Sequence, residues 1–402
     1  MNKSLNYITS SVHGRVSISG SKSESNRLLI LQKIYPNLKL ENLSSSDDTK
    51  HLQEALVSNK NTINIGHAGT AMRFLTAYFS ATREKEIILT GSDRMQNRPI
   101  KILVDALQKL DSNIAYSNKI GYPPLKIKGK NLIKNKVSIE GNLSSQYISA
   151  LLLIAPSLEN GLEIELLGKV TSTPYIKMTL ALLNEIGVQT SWEDNRIQIQ
   201  NKKNIDDKTI VVESDWSSAS YFYSLVALSE EGSVKLTSYK KNSLQGDNSL
   251  IEIYKHFGVE TEFDGNTIIL NKKKTVLKPL QLNLINSPDL AQTIVVTCFG
   301  LGIACDLTGL HTLKIKETDR LVALKTELEK LGAIVEITNE SLHLKPSDKI
   351  NKNIAIDTYQ DHRMAMAFAP LALKVPITIN EAEVVTKSFT SFWKDFESVL
   401  HK

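Results

Sequence analysis

Apolar and polar positions follow the same pattern in four stretches of the chain. Each stretch begins with apolar residues at helical spacing, breaks at one residue, and continues as two alternating segments joined by a polar turn. The breaks are at Asp111, Gly187, Gly258 and Gly332, and the turns lie at 118–121, 193–195, 264–266 and 339–341. Because glycine favours the left-handed backbone that ends many helices, the pattern predicts a unit of helix, strand, hairpin and strand.

The spacing of these breaks indicates a repeated architecture. They lie 76, 71 and 74 residues apart, and a nearly fixed period of this size is typical of repeated structural units. Two weaker copies are predicted, with helices near 48–57 and 391–400. Six units, three in each of two domains, fit a chain of 402 residues, which is too long for one ordinary core.

Short polar clusters stand immediately before apolar helical segments. They occupy residues 20–27, 66–73, 144–146, 215–218, 287–289, 316–320 and 361–363. Serine and aspartate at such places are typical helix N-caps, and this explanation stays open for each cluster alone. It does not explain why cations join the clusters, because a positive charge at a helix N-terminus opposes the helix dipole. These cations are Lys22, Arg27, Arg73, Arg320 and Arg363. An anion bound between the cations and the backbone N–H groups would explain both features.

Composition sharpens this hypothesis. Only nine of the 48 lysine and arginine residues are arginines, so arginine marks places that need a planar, bidentate donor. Five of the nine lie in or next to the polar clusters, namely Arg27, Arg73, Arg98, Arg320 and Arg363. A net charge of +5 is small for this length and gives little support to a nucleic-acid or membrane partner. The residues alone thus predict a two-domain α/β enzyme with a cleft for phosphate and carboxylate groups.

Several other classes of site lack their sequence motif. The chain has no Walker phosphate-binding motif, no glycine-rich dinucleotide motif and no histidine–carboxylate cluster at metal-ligand spacing. Cys298 and Cys305 lie in an apolar stretch and are predicted to be ordinary buried thiols. Neither an apolar N-terminal signal nor an apolar run of about 20 residues occurs, so a cytoplasmic protein is expected.

Acid–base chemistry is expected to fall to side chains near the polar clusters. The best placed are Lys22, Asp289 and Glu317. Glu317 and Asp319 fit a helix start equally well, so a structural role stays open for both. For His362, which stands between Asp361 and Arg363, a structural role is favoured over catalysis.

Taken together, the clusters resemble the motifs of the 5-enolpyruvylshikimate-3-phosphate synthase (3-phosphoshikimate 1-carboxyvinyltransferase) family. The matching segments are GSKSESNR at 20–27, AGTAMR at 68–73, RMQNRP at 94–99, SSQ at 144–146, STPY at 172–175, KETDR at 316–320, DHRMAM at 361–366 and KSF at 387–389. Eight motifs in the family's order cover nearly the whole chain, which makes the resemblance specific.

The resemblance implies an α/β fold, the two-domain inside-out α/β barrel of the enolpyruvyl transferases. That fold has six βαβαββ repeats, three per domain, with helices inside and sheets outside. The implied domains are residues 1–20 with 215–402, and residues 21–214, so that the chain crosses twice between them. The active site is expected in the interdomain cleft, with helix N-termini of both domains pointing into it.

The activity that the resemblance implies is transfer of the enolpyruvyl group of phosphoenolpyruvate to the 5-hydroxyl of shikimate 3-phosphate, a step of the shikimate pathway that glyphosate inhibits. It implies no cofactor, no metal and a monomer. The residues implied in phosphoenolpyruvate binding are Lys22, Gly69, Arg98, Gln146, Arg320, Arg363 and Lys387. Those implied in shikimate 3-phosphate binding are Lys22, Ser23, Arg27, Ser144, Ser145, Gln146, Ser172, Tyr175, Asp289, Thr312 and Lys316. The implied catalytic residues are Lys22, Asp289 and Glu317, and how they divide the proton transfers stays open.

Four positions depart from the family's usual residues. They are His67 for asparagine, Phe74 for proline, Thr173 for lysine and Thr312 for asparagine. The nearest alternative is UDP-N-acetylglucosamine enolpyruvyl transferase, which shares the fold and the chemistry. That family usually has a cysteine in the loop that matches residues 91–98, where this chain has none. A catalytically inactive metabolite-binding protein of the same fold is disfavoured by the presence of Lys22, Asp289 and Glu317.

Overall fold

The chain divides into two compact units. The computed structural model describes residues 1–6, 11–141, 144–168, 170 and 173–400. Unit 1 consists of Met1–Ser19 and Glu213–Lys402, and unit 2 consists of Gly20–Val212. The chain therefore passes from one unit to the other twice.

Helices occur in both units. In the described residues the α-helices are α1 (Lys22–Ile34), α2 (Asp47–Val57), α3 (Gly69–Ala81), α4 (Asp93–Gln96), α5 (Lys101–Lys109), α6 (Ser145–Ile154), α7 (Thr173–Glu185), α8 (Trp216–Leu228), α9 (Leu250–Lys255), α10 (Ala291–Gly300), α11 (Arg320–Lys330), α12 (His362–Phe368) and α13 (Phe392–Ser398). Helices α1 to α7 belong to unit 2, and α8 to α13 belong to unit 1.

Strands are short and alternate with the helices. They are β1 (Lys3–Leu5), β2 (Ser11–Val16), β3 (Leu38–Glu41), β4 (Thr62–Asn64), β5 (Glu86–Thr90), β6 (Asn113–Tyr116), β7 (Leu125–Lys128), β8 (Lys136–Glu140), β9 (Leu162–Leu167), β10 (Thr190–Glu193), β11 (Arg196–Ile199), β12 (Lys208–Val211), β13 (Glu231–Thr237), β14 (Val259–Asp264), β15 (Thr267–Lys272), β16 (Leu280–Asn283), β17 (Cys305–Thr308), β18 (Val335–Ile337), β19 (Leu342–Leu344), β20 (Ile354–Ile356) and β21 (Ile377–Ile379).

Four sheets share one topology. Their strand orders are β2-β13-β15-β14, β4-β5-β7-β6, β8-β9-β11-β10 and β16-β17-β19-β18. In each sheet the first two strands are parallel and the other neighbours are antiparallel. A helix precedes the second strand and another precedes the final hairpin, which is the βαβαββ order. Two further sheets of the described residues are smaller: β12 pairs with β3, and β21 pairs with β20 and β1.

The four repeats predicted from the breaks in the sequence are confirmed. The hairpins follow helices α5, α7, α9 and α11, and helices α2 and α13 occupy the places of the two weaker copies. Between helix and hairpin the backbone is left-handed, with φ of 72° at Asp111, 80° at Gly187, 74° at Gly258 and 97° at Gly332. An added Cβ at Gly258 would also overlap the carbonyl oxygen of Lys273. Glycine at three of the four breaks therefore avoids the strain that a side chain meets in this conformation.

Three helices form the core of each unit. Helices α1, α3 and α6 contact one another in unit 2, and α8, α10 and α12 do so in unit 1. They are buried on nearly all sides, and every residue of α12 is buried. In unit 2, α2, α5 and α7 lie outside this core, and each contacts two of its three helices. Because a helix buried all round must be apolar all round, the polar clusters are confined to the starts of these helices.

Two smaller findings concern the cysteines and membranes. Cys298 and Cys305 are buried thiols without a disulfide, as predicted. Within the described ranges, no helix is long and apolar enough to cross a membrane.

Candidate active site

The helix starts test the N-cap explanation of the polar clusters. A side chain caps the helix at Ser144, Asp215, Asp319 and Asp361, each accepting a hydrogen bond from a backbone N–H of the first turn. The N-cap interpretation is therefore confirmed at these four clusters. At α1 and α3 it is wrong, because neither Ser21 nor Ala68 makes a side-chain cap. These two helices begin inside their clusters, at Lys22 and Gly69, so the cluster residues form the first turn.

In unit 1, the buried guanidinium of Arg320 binds three carboxylates. Its Nε donates to Asp361 Oδ2 at 2.6 Å, and its Nη1 donates to Asp289 Oδ1 at 2.8 Å. Its Nη2 donates to Glu317 Oε2 at 2.7 Å. Arginine suits this place because its planar group presents five donors in a fixed geometry. The start of α11 is thereby tied to the N-cap of α12 and to the 3-10 helix Pro288–Leu290 before α10.

Arg363 is the second buried cation of this group. Its Nη1 donates to the backbone carbonyl of Asp289 at 3.2 Å, and its Nη2 lies 3.3 Å from Asp289 Oδ2. The same Nη2 donates to Ser217 Oγ at 3.2 Å. The carboxylate of Asp289 thus bridges the guanidinium groups of Arg320 and Arg363.

Two lysines complete the charge cluster of unit 1. Lys387 Nζ lies 3.2 Å from Glu317 Oε1, and Lys316 Nζ lies 3.5 Å from Asp289 Oδ1. We call the seven residues the Arg320 cluster: Lys316, Arg320, Arg363, Lys387, Asp289, Glu317 and Asp361. Four cations face three carboxylates in it, so the cluster favours the approach of an anion.

The cations keep Asp289 ionised. Burial by itself raises the pKa of this carboxyl, because it disfavours the charged form. The positive charges of Arg363, Lys316 and Arg320 outweigh burial and hold the pKa of Asp289 well below its ordinary value. In turn, burial lowers the pKa of Arg363, but Asp289 and other acidic groups raise it well above its ordinary value. Both groups are therefore charged at every physiological pH, and Asp289 accepts hydrogen bonds.

A fourth carboxyl, that of Asp247, borders the cluster and differs from Asp289 in its protonation state. Asp247 lies in the 3-10 helix Gly246–Ser249, is 4% exposed, and accepts a hydrogen bond from Ser217 Oγ at its Oδ2. Its buried Oδ1 has no hydrogen-bond partner among the described residues. Burial, together with the charge of Asp289, raises the pKa of Asp247 to about 7, although Arg363 and the hydrogen bond from Ser217 oppose this. Near neutral pH the carboxyl is therefore partly protonated.

In unit 2, Arg27 is buried among neutral oxygens. It lies in α1, and its Nε donates to Thr179 Oγ1 at 2.7 Å, while its Nη2 donates to Ser149 Oγ at 3.0 Å. The remaining acceptors in the described residues are the backbone carbonyls of Ser23 and Tyr175, at 2.7 and 3.3 Å. Burial lowers the pKa of Arg27 to about 10, against the attraction of Tyr175 and Glu24. Unlike Arg320, this buried cation has no carboxylate as a hydrogen-bond acceptor in the described part of the chain.

Gly69 and Arg98 lie in direct contact. A Cβ added at Gly69, the first residue of α3, would overlap Nη1 of Arg98 and lie 3.0 Å from its Cζ. Arg73, one turn along the helix, donates to the carbonyls of Gly69 at 3.0 Å and Pro99 at 3.1 Å. The absence of a side chain at residue 69 therefore leaves room for the Arg98 guanidinium at the start of α3.

Two more contacts join neighbouring helix starts in unit 2. Gln146 Nε2, in the first turn of α6, donates to Thr70 Oγ1 in the first turn of α3 at 3.2 Å. Lys22 Nζ donates to Asp48 Oδ2 at 3.3 Å, which joins α1 to α2. Contacts between first turns thus join α3 to α6 and α1 to α2.

The structure groups most of the predicted site residues within their own unit. Unit 1 brings together Asp289, Lys316, Glu317, Arg320, Arg363 and Lys387 through the contacts above. Thr312 lies in the 3-10 helix His311–Ile315, which contacts Pro288–Leu290, and its buried Oγ1 has no partner in the described residues. Unit 2 holds two smaller sets, in which Ser23, Arg27 and Tyr175 are joined by hydrogen bonds and Gly69 contacts Arg98. Ser144 and Ser145 begin α6 beside Gln146. Ser172 lies outside the described residues.

Sequence reasoning missed several residues of these groups, including three further polar side chains. Asp48, Ser217 and Asp247 contact predicted site residues or each other. Asp48 and Ser217 stand at helix starts, where a cap or a first-turn residue is the ordinary explanation. Asp247 stands in a polar loop, and no pattern distinguishes a carboxyl that folding buries from one that stays exposed. Among the described residues, no group of three or more His, Cys, Asp or Glu side chains could hold a metal ion.

We predict that Asp247→Asn changes the pH dependence of stability. The folded pKa of about 7 lies above the ordinary value of 3.8, so between these pH values the folded chain binds a proton that the unfolded chain has lost. This carboxyl therefore makes the folded state less stable as pH rises through that window. The amide of the variant does not titrate. As pH rises, the difference in free energy of unfolding between the variant and the wild type should therefore shift in favour of the variant by up to about 1.4 kcal/mol per pH unit.

Urea unfolding at pH 5, 6 and 7 measures this difference. Asp264→Asn, at the exposed last residue of β14, is the control and should show no such trend. A difference between Asp247→Asn and wild type that stays constant with pH would contradict the assigned shift.

Comparison with known proteins supports one family. The family model described as EPSP synthase (3-phosphoshikimate 1-carboxyvinyltransferase) matches residues 50–396. A 3-phosphoshikimate 1-carboxyvinyltransferase of Bacteroides fragilis is 44% identical over 96% of this chain and 95% of its own. The protein of that name from Haemophilus influenzae is 36% identical over 98% of each chain.

Solved structures support the predicted fold. The EPSP synthase of Acinetobacter baumannii superposes with a TM-score of 0.79 at 21% identity, over 99% of this chain and 98% of its own. The enolpyruvyl transferase NikO of Streptomyces tendae gives 0.74 at 12% identity, over 99% and 97%. The predicted enolpyruvyl transferase fold is confirmed. The chain belongs to the EPSP synthase (3-phosphoshikimate 1-carboxyvinyltransferase) family.

Proposed function

We propose that the chain transfers the enolpyruvyl group of phosphoenolpyruvate to the 5-hydroxyl of shikimate 3-phosphate, releasing inorganic phosphate. The observation that carries this proposal is the Arg320 cluster, in which cations outnumber carboxylates around Asp289 and Glu317 in a chain of this family. Both substrates are polyanions, and buried arginines are well suited to bind phosphate and carboxylate groups. The reaction replaces the C2–O bond to phosphate by a C2–O bond to the acceptor and moves protons, without oxidation or reduction, so its chemistry requires no cofactor.

The proposed phosphoenolpyruvate contacts come from both units. In unit 1 they are Arg320, Arg363 and Lys387, and in unit 2 they are Lys22, Gly69, Arg98 and Gln146. The contact between Gly69 and Arg98 supports the role of residue 69, because a side chain there would displace the guanidinium that is to bind the anion. Lys22 and Gly69 begin helices that lack a side-chain cap, so an anion would also meet the positive end of the helix dipole.

The proposed shikimate 3-phosphate contacts include the buried Arg27. Its hydrogen-bond acceptors are neutral, so a bound anion would offset the cost of burying its charge. Thr312 offers a buried hydroxyl that has no partner within the described residues, as expected of a group that binds a substrate hydroxyl. The remaining proposed contacts are Lys22, Ser23, Ser144, Ser145, Gln146, Ser172, Tyr175, Asp289 and Lys316.

The proposed reaction is an addition followed by an elimination. C3 of phosphoenolpyruvate gains a proton, the 5-hydroxyl loses its proton, and its oxygen bonds to C2. The tetrahedral adduct then loses a proton from C3 as the bond between C2 and the phosphate oxygen breaks. Glu317, held between Arg320 and Lys387, is proposed to exchange the C3 proton. The ionised Asp289 is proposed to accept a hydrogen bond from the 5-hydroxyl, and Lys22 to assist at the hydroxyl and at the leaving phosphate.

We infer that units 1 and 2 are the two predicted domains and that they act together as a cytoplasmic monomer. The reaction requires both substrates in register, which lowers the barrier of a bimolecular step by roughly 7–11 kcal/mol in ideal cases. That the two groups of residues face one interdomain cleft remains a prediction. The alternative, a UDP-N-acetylglucosamine enolpyruvyl transferase, is not favoured, because the segment that includes α4 lacks the cysteine usual in that family. The two cysteines of the chain lie elsewhere, Cys298 in α10 and Cys305 in β17.

Release of inorganic phosphate from phosphoenolpyruvate tests this function. We expect turnover when shikimate 3-phosphate is the acceptor and none when UDP-N-acetylglucosamine replaces it. Phosphoenolpyruvate alone is the blank, and formation of the enolpyruvyl product is followed by mass spectrometry. Turnover only with the sugar nucleotide, or with neither acceptor, would reject the proposal.

We predict that Glu317→Gln separates binding from catalysis. The amide keeps the size of the side chain and one acceptor oxygen, so it can retain one of the contacts with Arg320 and Lys387, but it cannot exchange a proton. Steady-state kinetics should show kcat lower by at least about 100-fold, with KM for both substrates changed only a few-fold. The control is Glu329→Gln, an exposed residue of α11 that pairs with Lys325 and should leave kcat unchanged. Near-normal turnover of Glu317→Gln would remove its acid–base role.

A further inference from the structure

Residues 357–361, which lead into α12, contain two consecutive residues in the left-handed conformation. Tyr359 has φ 54° and Gln360 has φ 55°, and neither is glycine. A left-handed residue with a side chain is unfavourable, and two in a row persist only where the surroundings fix them. The next residues are Asp361 and Arg363, which belong to the Arg320 cluster. The turn therefore sets where α12 begins and where both charged groups lie.

A buried carboxylate outside the cluster fixes this turn. Glu327 is 0% exposed, and its Oε1 accepts a hydrogen bond from the Tyr359 hydroxyl at 2.5 Å. Its Oε2 accepts from the backbone N–H of Asp357 at 3.1 Å. Lys330 Nζ lies 2.8 Å from Glu327 Oε2 and 2.8 Å from Asp357 Oδ2, so the buried charge is paired. One carboxylate thus binds both the start and the left-handed part of the turn.

Helix α11 connects this carboxylate to the cluster. Arg320 begins α11 and Glu327 lies seven residues further on, which is two turns along the same helix face. Arg320 binds Asp361, and Glu327 binds Tyr359 and Asp357. The turn is therefore held by α11 at two points, before and at the N-cap of α12.

The turn also binds the segment that precedes Lys387. Asn380 Nδ2 donates to Asp357 Oδ1 at 2.7 Å, and Thr358 Oγ1 donates to Glu381 Oε2 at 3.4 Å. Glu381 has φ 48° and precedes the 3-10 helix Ala382–Lys387. The last residue of that helix pairs with Glu317. Residues 357–361 thus contact the segments that carry three of the four cations of the Arg320 cluster.

We propose that Glu327 and Tyr359 are positioning residues for the anion site, acting through the left-handed turn on Arg363 and Asp361. The hydroxyl of Tyr359 holds the turn in its unfavourable conformation, and the turn holds the guanidinium of Arg363 against Asp289. Neither residue touches substrate. This inference rests on the proposed function, because it assigns the positioned guanidinium to phosphoenolpyruvate.

Two variants loosen the turn in different ways. Tyr359→Phe removes the hydroxyl that binds Glu327. Gln360→Gly leaves every contact of Glu327 but removes the conformational restriction, because glycine enters many other conformations as readily. For both we expect KM for phosphoenolpyruvate to rise about three- to tenfold, the usual effect of losing one hydrogen bond or its equivalent. KM for shikimate 3-phosphate should rise less, since most of its proposed contacts, Arg27 and its partners among them, lie in the other unit.

Stability separates positioning from a purely structural role. Gln360→Gly also relieves left-handed strain, which offsets the loss of the side chain's own contacts. Its free energy of unfolding should therefore change little, while its KM for phosphoenolpyruvate rises. Asn353→Gly is the matched control, since Asn353 is a left-handed residue of the same unit (φ 57°) outside the turn. Tyr223→Phe is the control for loss of a tyrosine hydroxyl, which there bonds Thr261 at 2.7 Å. Both controls should leave KM for phosphoenolpyruvate unchanged.

The outcomes distinguish this inference from the proposed function. If the wild type is active and both turn variants have an unchanged KM for phosphoenolpyruvate, the positioning role is overturned. So would equal rises of KM for both substrates accompanied by lower stability. No turnover in the wild type would reject the proposed function instead. Crystal structures of wild type and Gln360→Gly would then decide the inference: we expect the 3.3 Å contact of Arg363 with Asp289 to be lost in the variant, and its retention would overturn the inference.

Discussion

The arrangement of charged groups in unit 1 depends on one guanidinium. Arg320 binds Asp289, Glu317 and Asp361 at once, at distances of 2.6 to 2.8 Å. Three carboxylates this close together repel one another and would each resist ionisation without a shared cation. With it, Asp289 stays ionised and binds Arg363 as well. The starts of α11 and α12 and the segment before α10 are joined by the same contact.

In unit 2, Arg27 is buried in a different chemical environment from that of Arg320. Arg27 donates to hydroxyl and carbonyl oxygens, and no carboxylate in the described residues is among its acceptors. Burial lowers its pKa to about 10, whereas the carboxylates around Arg320 raise the pKa of that group. A cation stabilised by its own carboxylates can organise a site, and one without them retains its attraction for an incoming anion. The proposed division of labour between the two units follows from this difference.

Much of the fold could be predicted from the sequence because its signals are local. Helical spacing, glycine at the breaks and alternation in the hairpins each involve neighbouring residues, and the left-handed φ at Gly187, Gly258 and Gly332 agrees with them. Family motifs identified Arg320, Arg363 and Glu317, which lie in one cluster. The sequence could not predict which cations are paired with carboxylates, because those contacts join residues up to 74 positions apart.

The sequence did not show that two carboxyls near the site would be buried. Asp247 and Glu327 resemble exposed acidic residues in composition and spacing, and only the packing of several segments buries them. The N-cap explanation was right at Asp361 and wrong at α1 and α3, because a polar residue before a helix fits both a cap and a site. Only the structure therefore shows which polar residues at helix starts are caps and which belong to a site.

The free energy of unfolding of Arg320→Met, measured against pH, tests most directly whether this guanidinium maintains the cluster. Methionine fills the space without the charge and leaves the buried Asp361 and the partly buried Asp289 and Glu317 with fewer cations. In the wild type the depressed pKa of Asp289 contributes stability at pH values above the ordinary carboxyl pKa. In the variant, burial opposed by fewer cations should raise the pKa of Asp289. We predict a loss of about 3–5 kcal/mol at pH 8 that shrinks toward pH 5 as the carboxylates take up protons, with no loss for the exposed control Arg196→Met. An equal loss at pH 5 and pH 8 would contradict the central role of Arg320.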